Sequence, residues 1–202
     1  MNSKINIYFT KRQILLFTFI HLLLILSCSN NKSPKNIVLD YKDAFNSHNV
    51  DSLLSFYSDS IGFSVPDMRM NISGKSELRG VAEYDSVLNT IMELYILSFH
   101  DDTVFCSIRE INDWMNLAGI SSLYYDNSKF IVRDNKITYI EADLSDSSLS
   151  NLRAFFGSFM PWAKENQPHL LDSLMPGGNF LFDTKGGVLF LELLERWRDS
   201  TQ

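Results

Sequence analysis

The chain has 202 residues, of which 45% are hydrophobic and 13% aromatic, enough apolar material for one well-buried domain or two small ones. Only 21% of the residues are charged, which excludes a disordered polyelectrolyte and a coiled coil. Eighteen basic and 24 acidic residues give a formal charge of -6, and no run rich in lysine and arginine occurs. We therefore expect no nucleic-acid partner.

The first 27 residues are organised like an export signal. Lys4, Lys11 and Arg12 precede an apolar run over residues 14–26 that only two polar residues interrupt. As a helix this run would span at most about 20 Å, which is short of the roughly 30 Å hydrocarbon core of a bilayer. The pattern is typical of a signal peptide, and the alternative is a plain N-terminal membrane anchor.

The apolar run ends in Ile25-Leu26-Ser27-Cys28, which resembles the lipobox of bacterial lipoproteins. The resemblance implies that the leader is cut before Cys28, which is acylated and anchors the mature chain to a membrane. Cleavage would leave 15 basic and 24 acidic residues, a charge of -9. We expect residues 28–34 to form a lipidated tether in the bacterial cell envelope, on the periplasmic side of the outer membrane.

The other residues with redox or metal chemistry give little signal. With Cys28 lipidated, Cys106 has no cysteine to pair with, and it lies in an apolar strand pattern typical of a buried residue. His48, His100 and His169 lack the paired spacing of metal ligands, and no glycine-rich phosphate loop occurs. We predict neither a metal site nor a cofactor.

The mature chain opens with helical signals. Ser33 offers a side-chain cap and Pro34 suits a first helical position, which predicts a helix that runs to about residue 48. Apolar spacing predicts a second short helix over residues 53–57. Alternating apolar residues over 61–65 predict a strand, which Pro66 ends.

A long helix and a run of strands follow the Ser73-Gly74 break. Apolar residues at three- and four-residue spacing predict that helix: Leu78, Val81, Ala82, Leu88, Ile91, Met92 and Tyr95. The period then drops to two. It predicts strands over about 94–100, 103–112, 122–133 and 136–144, with no helix between the last two.

Asp134-Asn135 predicts a two-residue hairpin turn, because both residue types tolerate positive φ. Such a turn fixes the register of the strands on either side of it. The predicted partners are Phe130 with Tyr139, Val132 with Ile137, and Ser128 with Glu141.

This order of elements resembles the nuclear transport factor 2-like superfamily, which includes SnoaL-like polyketide cyclases, ketosteroid isomerases and limonene epoxide hydrolases. The matching segments are residues 43–54, Ile72-Ser73-Gly74-Lys75 and the hairpin over 130–137. For a domain over residues 35–145, the resemblance implies an α+β cone in which a strongly bent antiparallel sheet wraps around helices. It also implies an apolar pocket open at one end and, commonly, a homodimer through the outer sheet face.

Residues 146–202 exceed the usual domain and show three stretches of helical spacing, the first interrupted by Pro161, which should kink or end that helix. The apolar faces of these helices have to be buried against another part of the protein. We expect a helical extension packed on the cone. A separate domain is the alternative, although about 57 residues make a small core.

Two acidic residues are candidates for acid–base catalysis. Strand alternation places Glu110 and Asn112 on one face with three apolar residues: Val104, Cys106 and Ile108. A carboxylate there loses hydration, which raises its pKa and suits it to general acid or base work. The hairpin register gives Glu141 a similar apolar setting. If both side chains enter the pocket, they can act as an acid and base pair.

Asn112 is predicted to bind a ligand beside Glu110, with four aromatic side chains lining the pocket: Trp114, Tyr57, Tyr124 and Tyr139. Simpler interpretations exist for each residue. Trp114 also fits ordinary core packing. Glu110 could instead form a structural ion pair with an arginine such as Arg79, Arg133 or Arg153.

Two classes of function remain open. In the first, a lipid-anchored lipoprotein binds a small, mostly apolar molecule in the cone, and turnover by an isomerase, dehydratase or hydrolase mechanism would use Glu110 as base. In the second, the domain is an envelope interaction module, and Phe156, Phe159 or Trp162 would plug the cone. The sequence shows no Asp-Arg-Asp set of the epoxide hydrolase type that can be placed on facing strands. The catalytic tyrosine and aspartate of the isomerases cannot be assigned by motif either, so the sequence assigns no activity.

Overall fold

The computed structural model describes residues 32–201, with side chains for residues 32–200. The predicted signal peptide and the lipidation site at Cys28 lie outside the described residues. Within the described part, no helix is both long and apolar enough to cross a membrane.

The first half of the described chain contains three helices and two strands. Ser33 caps the first helix, because its hydroxyl oxygen accepts a hydrogen bond from the backbone N–H of Asn36 at 3.3 Å. Asn49 caps the second by accepting from the N–H of Ser52 at 2.9 Å. The elements are α1 (Pro34–Asn46), α2 (Val50–Leu54), β1 (Tyr57–Val65), β2 (Met70–Ser73) and α3 (Lys75–Val87).

The second half contributes four strands, a short helix and the C-terminal helices. The elements are β3 (Ile91–His100), β4 (Thr103–Ile111), α4 (Asp113–Leu117), β5 (Leu123–Arg133), β6 (Lys136–Glu141), α5 (Asp146–Asn166), α6 (Pro168–Leu174) and α7 (Thr184–Thr201). The six strands form one curved sheet in the order β2-β1-β6-β5-β4-β3. Only the β1–β6 pair in this sheet is parallel. The predicted α+β cone with a C-terminal helical extension is confirmed.

Two predicted helix boundaries are wrong. The long helix α3 ends at Val87 rather than continuing to Tyr95, because Asn89 adopts a left-handed backbone conformation with φ of 52°. The apolar residues beyond it belong to β3. The second short helix stops at Leu54, and Tyr57 is the first residue of β1.

The β5–β6 hairpin follows the predicted turn but not the whole predicted register. Asp134 and Asn135 have φ of 50° and 58°, as a two-residue turn requires, and Val132 lies opposite Ile137. A β-bulge then shifts the pairing by one residue. Consequently Phe130 pairs with Ile140 and Lys129 pairs with Glu141, so the two other predicted pairs are wrong.

The inner face of the sheet packs against α1, α2 and α3, and the extension packs at the end of the sheet where α4 lies. Between the extension and this end of the sheet lies a second hydrophobic core, separate from the one between the sheet and the inner helices. Its rings come from α4, α5 and α7: Trp114, Phe155, Phe159, Phe190 and Trp197. Helix α5 does not end at Pro161, because the buried side chains of Phe159 and Ala163 hold the turns on both sides in this core.

Glycines allow the extension to lie close against α3. A Cβ on Gly80 would stand 2.5 Å from the carbonyl oxygen of Phe182, and one on Gly187 would stand 3.0 Å from Cγ1 of Val87. Neither contact would tolerate a side chain without displacement of its neighbour. The packing of α7 and of the segment before it therefore depends on these two positions.

Candidate functional site

Two adjoining, partly open cavities lie between the sheet and the helices that cover it. The inner cavity, of about 90 Å³, is enclosed by α1, α3 and the inner face of the sheet. The outer cavity, of about 280 Å³, lies between the same end of the sheet, α3, α4 and the extension. Six residues line both cavities, three of them apolar and three polar: Phe63, Val65, Val81, Asp85, Glu110 and Tyr125. We call this shared set the junction.

Glu110 reaches the junction from the end of β4. The hydroxyl of Tyr125 donates a hydrogen bond to its Oε2 at 3.1 Å, and Nδ2 of Asn112 donates to its Oε1 at 3.2 Å. Burial raises the pKa of Glu110 from 4.5 to about 7, although the bond from Tyr125 acts in the opposite direction. Glu110 lines both cavities.

Asp85 brings a second carboxyl to the junction from the last turns of α3. Burial raises its pKa well above the ordinary value, the nearby charge of Glu110 raises it further, and a hydrogen bond with Thr90 opposes both effects. Two carboxyls that interact in this way lose their protons as a pair. Burial and the charge of Glu110 both favour the protonated form of the Asp85 carboxyl.

Sequence reasoning missed Asp85 although a signal was present. Leu78, Val81 and Ala82 define an apolar stripe on α3, and residue 85 continues it at the three- and four-residue spacing. An acidic residue in such a stripe faces the interior. Its functional interest comes from that position and not from a motif.

The predicted ion pair to Glu110 is wrong for each of the arginines considered. Arg79 bonds Asp51 at 2.8 Å, Arg133 bonds Asp102 at 2.8 Å, and Arg153 is exposed on α5. Within residues 32–200, no lysine, arginine or histidine lines either cavity. The carboxyl pair thus meets hydroxyl and amide groups rather than a cation.

Asn112 lies behind Glu110 and does not line either cavity. Its Oδ1 accepts the N–H of Met115 at 3.0 Å and so caps α4, while its Nδ2 lies within reach of both Glu110 and the hydroxyl of Thr90. The side chain is buried. Asn112 therefore orients Glu110 and joins it, through Thr90, to Asp85.

Besides Asn112, three predicted site residues do not line the cavities. Glu141 lies on the outer face, where it bonds Lys129 at 2.7 Å and accepts from the hydroxyl of Tyr139 at 3.0 Å. Tyr139 shares that face and Tyr124 is exposed. The bulge in the hairpin explains the first two errors, because a shift of one residue moves every side chain to the opposite face.

Tyr57, Trp114 and Tyr125 are the site's other aromatic residues of interest. Tyr57 lines the inner cavity with its hydroxyl 3.1 Å from that of Tyr41. Trp114 lines the outer cavity and contacts the rings of Phe155 and Phe190. Tyr125 was not predicted from the sequence. It lies two residues after the buried Leu123 on β5 and so faces inward with it, whereas the predicted Tyr124 faces outward.

The residues that would plug the cone in the interaction-module alternative leave both cavities open. Phe156 forms part of the outer wall, while Phe159 and Trp162 pack together within the second core. Cys106 is buried, which raises its thiol pKa to about 12 and makes it unreactive. Among the described residues no group of side chains is arranged to hold a metal ion.

The chain is similar to solved structures at low sequence identity. SalBIII, an epoxide hydrolase/cyclase-like enzyme in pyran ring formation in the polyether salinomycin, is 16% identical with a TM-score of 0.50; the match covers 57% of this chain and 92% of that one. An NTF2-like protein of unknown function from Cytophaga hutchinsonii is 10% identical with a TM-score of 0.48, covering 60% and 99%. No protein-family model matches the sequence, and no curated protein matches it significantly.

The sheet order, the inner helices and the likeness to SalBIII lead to the same architecture. An identity of 16% supports a shared fold and leaves activity to be argued from the site. The described part of the chain has the nuclear transport factor 2-like fold, extended by C-terminal helices.

Proposed function

We propose that the protein binds a small, mostly apolar molecule in the two cavities, with a polar group of the ligand at the junction. The observation that carries the proposal is the junction itself: two carboxyls and a phenol converge in otherwise apolar space. Sites for small molecules typically have this composition, an apolar lining with a few placed polar groups. Open cavities argue against a domain whose interior has been filled.

A neutral fluorescent probe, N-phenyl-1-naphthylamine, tests this proposal when titrated into the full chain reconstituted in lipid nanodiscs. Val81 belongs to the junction, so Val81→Trp should fill it and weaken binding at least tenfold. Val188 lies exposed on α7, and Val188→Trp should leave binding unchanged. Equal binding by both variants, measured against empty nanodiscs, would contradict the proposal.

We propose the cell envelope as the location, with lipidated Cys28 as the membrane anchor. The support is the charged, apolar and cysteine-terminated order of the leader in the sequence. Metabolic labelling with a fatty-acid analogue should mark the wild type and Cys106→Ala but not Cys28→Ala. Label that persists in Cys28→Ala would refute lipidation at this residue.

Catalysis is a second candidate function, and the interaction between the two carboxyls favours it. Two interacting carboxyls with raised pKa values can supply a base and an acid at once. In an isomerase or dehydratase, Glu110 would take a proton from carbon while the neutral Asp85 carboxyl donates a hydrogen bond to the substrate oxygen. No step needs Glu141, which lies on the outer face.

Hydrogen–deuterium exchange tests the base without knowledge of the substrate. In deuterated buffer, NMR would follow loss of the protons on the carbon beside the carbonyl of propiophenone. General base catalysis predicts a rate for the wild type at least about a hundredfold above that of Glu110→Gln. Glu141→Gln should match the wild type. Equal rates for wild type and Glu110→Gln would remove this candidate.

An interaction module remains a third candidate because large apolar side chains are exposed on β3 and β4. Tyr95, Leu97 and Phe99 on the edge strand are each more than half exposed, and Phe105 lies on its neighbour. Such surfaces often mark contact sites. If they support a homodimer, Leu97→Ser should convert it to monomer in sedimentation experiments.

A further inference from the structure

We infer that the two cavities are subsites for one ligand: the inner takes a short aliphatic group, the outer takes a ring, and an uncharged oxygen of the ligand lies at the junction. This inference rests on the proposed binding function and names its ligand class. It depends on three features of the cavities, namely their volumes, their walls and the placement of their polar groups.

The volumes separate the two subsites. An apolar protein cavity of roughly 150 Å³ accommodates a benzene ring. The inner cavity, at about 90 Å³, is smaller than this and suits a chain of a few carbons. The outer cavity, at about 280 Å³, has room for a ring with substituents.

The linings of the two cavities also differ, because aromatic rings make up a larger part of the outer lining than of the inner one. Five rings from α4 and the extension surround the outer cavity: Trp114, Phe156, Phe180, Phe182 and Phe190. They also contact one another, since the ring centroid of Phe180 lies 5.0 Å from that of Phe182 and 5.5 Å from that of Phe190. Aromatic walls favour edge and face contacts with a ligand ring. Beyond the junction, side chains without a ring form most of the inner lining, among them Leu53, Leu78 and Ile140. Four rings complete that lining: Tyr41, Phe45, Tyr57 and Phe130.

The polar groups identify what lies between the two ends of the ligand. In the inner cavity the hydroxyls of Tyr41 and Tyr57 lie 3.1 Å apart and one donates to the other, whereas Asp85, Glu110 and Tyr125 lie at the junction between the two cavities. A protonated carboxyl donates a hydrogen bond. The hydroxyl of Tyr125 already donates to Oε2 of Glu110, so its oxygen can only accept. A carbonyl or hydroxyl oxygen of the ligand can accept from the carboxyl, whereas a ligand carboxylate would meet two acids, and no basic side chain of residues 32–200 lines either cavity. An uncharged oxygen therefore fits this position.

Alkyl phenyl ketones reproduce this order of ring, oxygen and chain. We would measure their affinity for the full chain in nanodiscs by calorimetry, from acetophenone to octanophenone, with empty nanodiscs subtracted. Each methylene buried in the inner cavity should strengthen binding about fourfold. This gain should stop after two or three added carbons, when the inner cavity is full. Affinity that rises through the whole series would overturn the assignment of the inner subsite.

Variants that narrow one cavity distinguish the subsites. Ala142 lines only the inner cavity, so Ala142→Leu should move the limit to a shorter chain and leave acetophenone unaffected. Leu152 lines only the outer cavity, and Leu152→Trp should weaken every member of the series by the same factor. Ala82→Val provides a smaller filling of the inner cavity should Ala142→Leu fail to fold. Equal weakening of all ketones by the inner variants would contradict two subsites.

The oxygen is tested by replacing the carbonyl. Butyrophenone should bind at least tenfold tighter than butylbenzene, and Glu110→Leu should reduce that ratio toward one. Equal affinities in the wild type would refute an oxygen at the junction. Failure of all ketones while N-phenyl-1-naphthylamine still binds would refute the two subsites and leave the proposed function standing. Failure of both probes would refute both.

Discussion

The two faces of the sheet place their carboxylates in opposite environments. On the outer face, Glu141 bonds Lys129 and Glu93 bonds Arg109, and each basic partner holds the carboxyl pKa below its ordinary value. On the inner face, Glu110 has hydroxyl and amide partners and a raised pKa. A glutamate on this sheet therefore joins a surface ion pair if its side chain points to the outer face, and becomes a site residue if its side chain points to the inner face.

The largest expected difference between the faces is in the pH dependence of stability. The pKa of Glu110 is about 7 in the folded chain against an ordinary value of 4.5, so the folded state binds the proton more tightly. Its contribution is fully present below pH 4.5 and is lost as the pH rises through about 7. The loss is on the order of 3 kcal/mol at most.

Glu110→Gln should therefore increase the free energy of unfolding at pH 8.5 by about 1–3 kcal/mol and change it little at pH 4.5. Urea denaturation at the two pH values measures both. The matched outer variant, Glu141→Gln, should instead lower stability at pH 8.5, by less than about 1 kcal/mol. A loss of stability in Glu110→Gln at pH 8.5 would show that the charged form is well solvated or paired.

The next largest effect is on stability, through the close packing of the C-terminal extension against α3. Gly80→Ala would force α3 and the carbonyl of Phe182 apart, and we expect a loss of about 1–3 kcal/mol in the free energy of unfolding. Gly157 on α5 has no heavy atom within 4 Å of an added Cβ, so Gly157→Ala should be neutral or stabilising by up to about 1 kcal/mol. Thermal unfolding of the two variants compares them, and equal stability would contradict the close packing of the extension.

The smallest effect belongs to the outer ion pairs. Lys129→Met removes the cation beside Glu141, whose side chain is 27% exposed and keeps a hydrogen bond from Tyr139. We expect a loss within about 1 kcal/mol that shrinks further in high salt. Denaturation in low and high salt checks this. A salt-independent loss of several kcal/mol would mean that the outer carboxylate is buried after all.

The sequence predicted the fold better than the site because hydrophobic periodicity and turn residues determine where elements lie. The Ser33 cap, the Asp134-Asn135 turn and the α+β order follow from local chemistry. The direction of side chains along a strand is harder to predict, because a single bulge reverses it. The shift between Ile131 and Val132 is such a case, and it places Glu141 and Tyr139 on the outer face. Local patterns carry no information about such bulges.

The site also depends on contacts distant in the sequence. Asp85 from α3 and Glu110 from β4 meet only when the sheet bends over the helix, so no spacing rule connects them. The outer cavity needs the extension, whose role as a wall depends on the close approach at Gly80 and Gly187. Glu110 could be proposed from alternation alone, whereas its partner carboxyl and the second cavity required the three-dimensional arrangement.

A carbon-13 NMR titration of the side-chain carboxyls tests the central claim, that the inner face holds an acid pair in cavities that no basic side chain of residues 32–200 lines. Glu110→Gln and Asp85→Asn would assign the two signals. The account predicts that Glu110 titrates near pH 7, that Asp85 titrates well above its usual range, and that the pKa of Asp85 falls in Glu110→Gln. Two independent titrations near pH 4 would contradict it.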